Sequence, residues 1–133
     1  MMTERETSLF EAVGGEATFE RLVEAFYETV DKDPILRPLY PEGPLDGPKE
    51  HLTLFLIQYF GGPNTYSQRR GHPRLRLRHM PFVIGLRQRN AWLMHMSAAV
   101  DKAGIQEPQR KEMLRYFSDA ATFLINQEPP GSR

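Results

Sequence analysis

The side chains of this sequence that could do chemistry are its histidines, a run of arginines and three aromatic residues with polar handles. The histidines are His51, His72, His79 and His95. A lone histidine is most often structural or simply exposed, so context must separate them. His79 stands in Leu75-Arg76-Leu77-Arg78-His79-Met80-Pro81-Phe82, where apolar and cationic residues interleave. An imidazole that ligates haem iron must be neutral and set in an apolar wall, with cations near for the two propionates. This segment offers both. His95 is the competing ligand, because it follows Trp92 by about one turn of a long predicted helix. His51 and His72 lie among charged or turn residues and are expected at the surface.

The arginines Arg69, Arg70, Arg74, Arg76 and Arg78 crowd the same stretch. They read either as a solvated basic loop or as the footprint of a phosphate groove. The run is short, only Tyr66 and Phe82 flank it as stacking partners, and 17 basic residues cancel 17 acidic ones across the chain. Nucleic acid is therefore not an expected partner. Tyr27, Tyr40 and Trp92 read first as core aromatics, yet each carries a polar group that needs a partner when buried. Three such donors converging in an apolar cavity would suit dioxygen, which takes on negative charge at ferrous iron. The sequence has no P-loop, no carboxylate pair at catalytic spacing and no defensible Ser–His–Asp set. Gly14-Gly15-Glu16-Ala17 follows no predicted strand, so it is too weak for a dinucleotide fingerprint.

These residues need a scaffold, and 133 residues with 40% apolar content make one domain with a real core, residues 1–133. The absence of cysteine excludes disulfides, zinc–thiolate sites, iron–sulfur clusters and covalent haem attachment. The charged start Met1–Glu6 does not resemble a signal peptide, and no apolar run reaches the roughly 20 residues of a membrane span. A soluble, cytoplasmic protein with no membrane partner is expected. Residues 1–7 and 127–133 are expected to be flexible ends.

The pattern of the scaffold is helical throughout. Phe19, Leu22, Val23, Phe26, Tyr27 and Val30 form a stripe of period 3.6 and predict a helix over Glu16–Val30. A turn of helix at Ser8–Val13 precedes it across Gly14-Gly15, and a short piece over Pro34–Tyr40 follows. Pro41–Pro48 is predicted as a loop. Leu52, Phe55, Leu56 and Tyr59 predict a helix over Pro48–Phe60, stopped by Gly61-Gly62-Pro63. Asn64–Pro73 is read as irregular, with a turn of helix at Leu75–His79. A long helix is predicted over Val83–Ala103, with Leu86, Leu93, Met96 and Val100 along one side, and a last one over Pro108–Asn126. The two early and two late long helices would pack as two antiparallel pairs.

Several segments together resemble the group II truncated haemoglobins. They are Phe26-Tyr27, Leu39-Tyr40-Pro41, the run from Gln58 to Ser67, the run from Arg70 to Phe82, and Ala91-Trp92-Leu93. The resemblance covers about Ser8 to Asn126 in the same order. It implies an all-α truncated globin fold, a two-over-two helical sandwich around haem b. By position it places the iron ligand on His79 and the distal polar residues on Tyr27, Tyr40 and Trp92. The globin distal-histidine position falls near Pro48, with Leu52 one turn on and His51 pointing elsewhere. Leu52, Phe55, Leu56, Met80, Phe82, Val83 and Met96 become haem-wall residues. Tyr66, Arg74 and Arg78 become propionate contacts.

The expected function is reversible binding of dioxygen, nitric oxide or carbon monoxide, with tight retention. One alternative is a peroxidase-like or nitric-oxide-oxidising enzyme on the same site, served by a reductase. Another is a cofactor-free helical binding module that uses the arginines. A homodimer is compatible with either.

Overall fold

The computed structural model describes residues 7–127, and every regular element among them is helical. The order is α1 (Leu9–Ala12), α2 (Glu16–Val30), a 3-10 turn (Arg37–Leu39), α3 (Asp46–Tyr59), α4 (Thr65–Arg70), α5 (Leu75–His79), α6 (Leu86–Lys102) and α7 (Gln109–Phe123). The predicted stripe of α2 is buried at every position named for it. That stripe is wide enough to pack on two neighbours at once, α3 and α6, while α6 also packs on α7. The result is the expected two-over-two sandwich. Its core joins Phe19, Leu22, Phe26 and Val30 of α2 to Leu56 and Ile57 of α3, Met96 and Val100 of α6, and Met113 and Phe117 of α7.

The entry to α2 shows why glycine is needed there. Gly14 has φ of 114°, and a β-carbon on it would lie 2.5 Å from the Thr18 hydroxyl oxygen. That hydroxyl is buried and donates to the Val13 carbonyl at 2.7 Å, tying α1 to the first turn of α2.

Several boundaries differ from the sequence reading. Helix α3 begins at Asp46, so the predicted loop Pro41–Pro48 is shorter. Pro48 stands third in the helix, where backbone N–H groups have no intrahelical partner and proline costs little. Thr65–Arg70 is helix α4, not irregular chain. It has no periodicity to announce it; tertiary bonds hold it, since Gln58 of α3 donates to the Ser67 hydroxyl at 2.8 Å and accepts from the Ser67 N–H at 2.9 Å. Helix α6 begins only at Leu86, which is exposed and not part of the inward side. Helix α7 ends at Phe123, because Asn126 is drawn off to bond the chain around Ile84. The predicted flexible residues 1–6 and 128–133 lie outside the described residues.

Candidate functional site

A cavity of about 380 Å³ lies among the helices, and all of them except α1 contribute to its wall. Tyr27 comes from α2 and Tyr40 from the end of the 3-10 turn. Pro48, His51, Leu52, Phe55 and Leu56 come from α3, Tyr66 and Arg70 from α4, Leu75, Arg78 and His79 from α5, Trp92 from α6, and Tyr116, Phe117 and Leu124 from α7 or its end. The lining is mainly apolar, with the polar groups few and placed.

His79 is held in one tautomer. Its Nδ1–H donates to the Leu75 carbonyl, one turn back on α5, at 2.6 Å. With Nδ1 so engaged, Nε2 is the nitrogen the neutral ring offers as a ligand, the arrangement a metal-ligating imidazole uses. The short α5 is fastened from behind by Asn126. Its side-chain N–H groups donate to the Phe82 carbonyl at 2.8 Å and the His79 carbonyl at 3.3 Å. Its amide oxygen accepts from the Ile84 N–H at 2.9 Å, and its own backbone N–H donates to the Ile84 carbonyl at 2.8 Å.

Tyr27, Tyr40 and Trp92 meet at one place. The Tyr27 and Tyr40 rings stand edge to face at 5.5 Å, and Trp92 packs between Phe26 and Phe117. The Tyr40 hydroxyl faces both Tyr27 and Trp92, which act on its ionisation. Burial pushes the Tyr27 hydroxyl far above the usual phenol range, and Tyr40 raises it further. Burial also raises Tyr40, while Tyr27 and Trp92 act the other way. Indole N–H is a donor only, whereas either phenol can donate or accept, so all three groups can offer a hydrogen to an acceptor in the cavity.

The rim is cationic. The Arg70 guanidinium donates to His51 Nε2 at 3.0 Å and lies 5.9 Å from the centre of the Tyr66 ring. Arg78 spends two donors on the loop before α5, to the Pro73 carbonyl at 2.7 Å and the Arg70 carbonyl at 3.0 Å. His51 is held below the ordinary imidazole range by burial first, then by Arg70 and Arg78, so it accepts from Arg70 as a neutral ring.

Of the residues expected at the site, His79, Tyr27, Tyr40, Trp92, Leu52, Phe55, Leu56, Tyr66, Arg78 and Phe82 border the cavity. Arg74, Met80, Val83 and Met96 do not line it. Met96 is fully buried in the core, facing away on α6, and Met80 and Val83 are exposed. Arg74 caps α5 in a left-handed conformation, its N–H bonded to His72 Nδ1. His51 borders the cavity, contrary to expectation. It lies three residues after Pro48 and four before Phe55, which puts it on the same helical face. His95 stands elsewhere, its Nε2–H donating to Asp33 at 2.5 Å with both side chains nearly buried. Sequence reasoning missed Arg70 as a rim residue and Tyr116 as a lining one. Position in the basic run and adjacency to inward Phe117 were the available signals.

A helical sandwich around an apolar cavity with one tautomer-fixed histidine and a cluster of phenol and indole donors defines a globin. A model of the bacterial-like globins matches residues 8–126, and the chain belongs to that family. Within it the chain falls with the group II truncated haemoglobins. It is 36% identical over 118 residues to group 2 truncated haemoglobin YjbI of Bacillus subtilis, covering 89% of this chain and 88% of that one. Its structure is similar to the haemoglobin of Chloroflexus aurantiacus, at TM-score 0.89 and 56% identity, over 92% of this chain and 100% of the other. It is also similar to the truncated oxygen-avid haemoglobin of Bacillus subtilis, at TM-score 0.86 and 36% identity, over 90% of this chain and 100% of the other.

The family implies a haem, and the donor set fits one. No cluster of three His, Cys, Asp or Glu exists among the described residues to cage a bare metal ion. The tautomer-fixed imidazole of His79 in an apolar wall, with Arg70 and Arg78 at the rim for two carboxylates, suits a macrocycle carrying its own four nitrogens. No helix among the described residues is long and apolar enough to cross a membrane.

Proposed function

We propose that the cavity takes haem b, with His79 as the protein ligand to iron, and that the protein binds dioxygen there and holds it tightly. The haem supplies the iron at which a diatomic gas binds reversibly. The chain supplies the rest. His79 presents one nitrogen because Leu75 holds the proton on the other. Arg70 and Arg78 stand ready for the propionates, and the α3 and α7 side chains exclude water. The observation that carries the reading is the trio at Tyr40. Three groups able to donate, already gathered at one wall of an apolar cavity, need little reorganisation to meet a ligand that becomes partly negative. The oxygen avidity of the Bacillus subtilis relative supports the same assignment.

An absorption spectrum of the purified protein, oxidised, reduced and with carbon monoxide, tests the haem. His79→Ala is expected to strip the haem during purification, whereas His95→Ala is expected to leave the Soret band intact. Normal haem retention by His79→Ala, with loss in His95→Ala, would overturn the ligand assignment.

A further inference from the structure

The charges of this chain are segregated. Between His51 and Val100 stand seven arginines and no lysine, aspartate or glutamate, so all 17 acidic residues lie outside that stretch. Arg70 and Arg78 border the cavity, and Arg89 bonds the hydroxyls of Thr122 and Ser118. Arg69 meets Glu50 at 3.7 Å. Arg74, Arg76 and Arg87 are exposed and have no carboxylate partner among the described residues. The same segment carries most of the exposed apolar surface. Leu77, Met80, Phe82, Val83 and Leu86 follow one another closely and are between 41% and 63% exposed. Phe123, at the end of α7, extends the patch, since the Arg76 guanidinium lies 5.3 Å from the centre of its ring. Among the described residues, only Tyr59 and Met94 are large, apolar and comparably exposed outside it. Apolar side chains gathered in this way mark a face that meets a partner.

We propose that this face docks an acidic one-electron carrier protein, of the ferredoxin or flavodoxin kind, which returns oxidised iron in the cavity to the ferrous state. The inference rests on the haem reading above. The composition fits a protein interface: methionine and phenylalanine at an apolar centre, arginine at the rim, and neither lysine nor carboxylate between. Exposed arginines without carboxylates of their own call for carboxylates on the partner. A second copy seated face to face would instead oppose arginine to arginine. The position of the face selects a redox partner. It is built on α5, the helix that carries His79, and Phe82 both borders the cavity and reaches solvent. A carrier docked there stands about one side chain from the cavity, the closeness that electron transfer needs and a lipid surface would not use. One electron passes from the reduced cluster or flavin to ferric iron, leaving ferrous iron and a carrier oxidised by one electron. No bond in this chain forms or breaks.

The test uses red holoprotein, with a plant-type iron–sulfur ferredoxin and a flavodoxin as probes. Binding of each oxidised probe to the isotope-labelled carbon monoxide complex is followed by amide shifts. Reduction of the ferric protein by each reduced probe is followed by stopped flow under carbon monoxide. Shifts are expected around Arg76–Arg87 and Phe123, with an affinity and a reduction rate that fall as salt is raised. Arg76→Glu with Arg87→Glu should weaken binding and slow reduction several-fold, while reduction by dithionite and the carbon monoxide spectrum stay unchanged. Lys102→Glu with Lys111→Glu changes the net charge equally but at the other ends of α6 and α7, Lys102 being about 24 Å from Leu86 by helix rise. That pair should leave docking near the wild type. Val83→Ser with Leu86→Ser should weaken binding at every salt concentration. The docking face is overturned if neither carrier binds, if the shifts fall elsewhere, or if the lysine variant loses as much as the arginine one. It is equally overturned if the arginines serve anionic phosphatidylglycerol vesicles and no carrier, or if Val83→Ser dissolves a dimer seen by ultracentrifugation. Each of these outcomes leaves the haem reading standing. A protein that purifies colourless and takes up no haem would overturn the haem reading itself.

Discussion

At the scale of the residue, Tyr40 is the group on which the proposed oxygen site turns. It faces Tyr27 and Trp92 at the cavity wall and has a hydroxyl proton to offer a ligand. A hydrogen bond to a partly charged ligand contributes on the order of 1.5–3 kcal/mol. If the effect falls on dissociation, that is about a ten- to hundred-fold slower off-rate. Tyr40→Phe, however, leaves the Trp92 N–H and the Tyr27 O–H at the same wall to serve the ligand. The single change should therefore raise the oxygen off-rate several-fold, and the double change Tyr40→Phe with Trp92→Phe by more than the product of the two single effects. Carbon monoxide, less polar when bound, should respond less. Stopped-flow dissociation of both gases checks this; multiplicative single effects would mean that the donors act independently. Tyr27, Tyr40, Trp92 and His79 were legible in the sequence because each sits in a motif or context of its own. Their convergence at one wall was not, because it joins α2, α6 and the 3-10 turn across long sequence separations. His51 shows the opposite failure: its charged neighbours suggested exposure, while its helical spacing to Pro48 and Phe55 pointed inward.

At the scale of the element, α5 is too short to hold its own position. Five residues cannot nucleate a stable helix, so Leu75–His79 depends on what fastens it. Asn126 is that fastening, with both faces of its amide engaged across the chain. Asn126→Ala should speed haem loss several-fold and shift the iron–histidine stretching band in the reduced protein. Asn126→Asp retains the acceptor for the Ile84 N–H and loses the donors to the His79 and Phe82 carbonyls, so it should fall between. A spectrum unchanged in both variants would show that α5 is held by other contacts. The asparagine was read in the sequence only as the end of the last helix. A tail residue that makes its bonds some forty positions away leaves no periodic trace. The same holds for α4, which exists because Gln58 grips Ser67 and Tyr66 is buried, not because its own residues favour a helix. The long helices were legible because their apolar stripes are long enough to show a period, and α2 matches its stripe residue for residue.

At the scale of the whole molecule, the two helix layers enclose the cavity and are therefore not held together across their middle by packing alone. One tie outside the cavity is the pair His95 and Asp33, joining α6 to the turn that leads from α2 to Tyr40. Asp33 also accepts from the Ile35 N–H at 2.7 Å, so it sets the turn itself. The bond from His95, and then that from Ile35, holds its carboxyl below the usual value of 3.8. A carboxylate whose folded value is lowered binds fewer protons folded than unfolded. The stability it contributes is present in full above 3.8 and is lost as pH falls through the lower, folded value. His51, also lowered, acts in a separate window that opens below 6.5. Asp101, paired with Arg110, shares the acid window but lies at the far end of α6. Asp33→Asn keeps the shape and an acceptor for Ile35 while removing the charge. The variant should melt below the wild type at neutral pH, and the gap should hold through the His51 window. The two melting curves should then converge once pH drops below about 4, as the wild-type carboxyl takes up its proton. Calorimetry of both proteins from neutral to acid pH decides it. A gap that closes already near pH 6 would place the sensitivity on a histidine, and a gap that persists in acid would mean that Asp33 acts through shape and hydrogen bonding rather than charge.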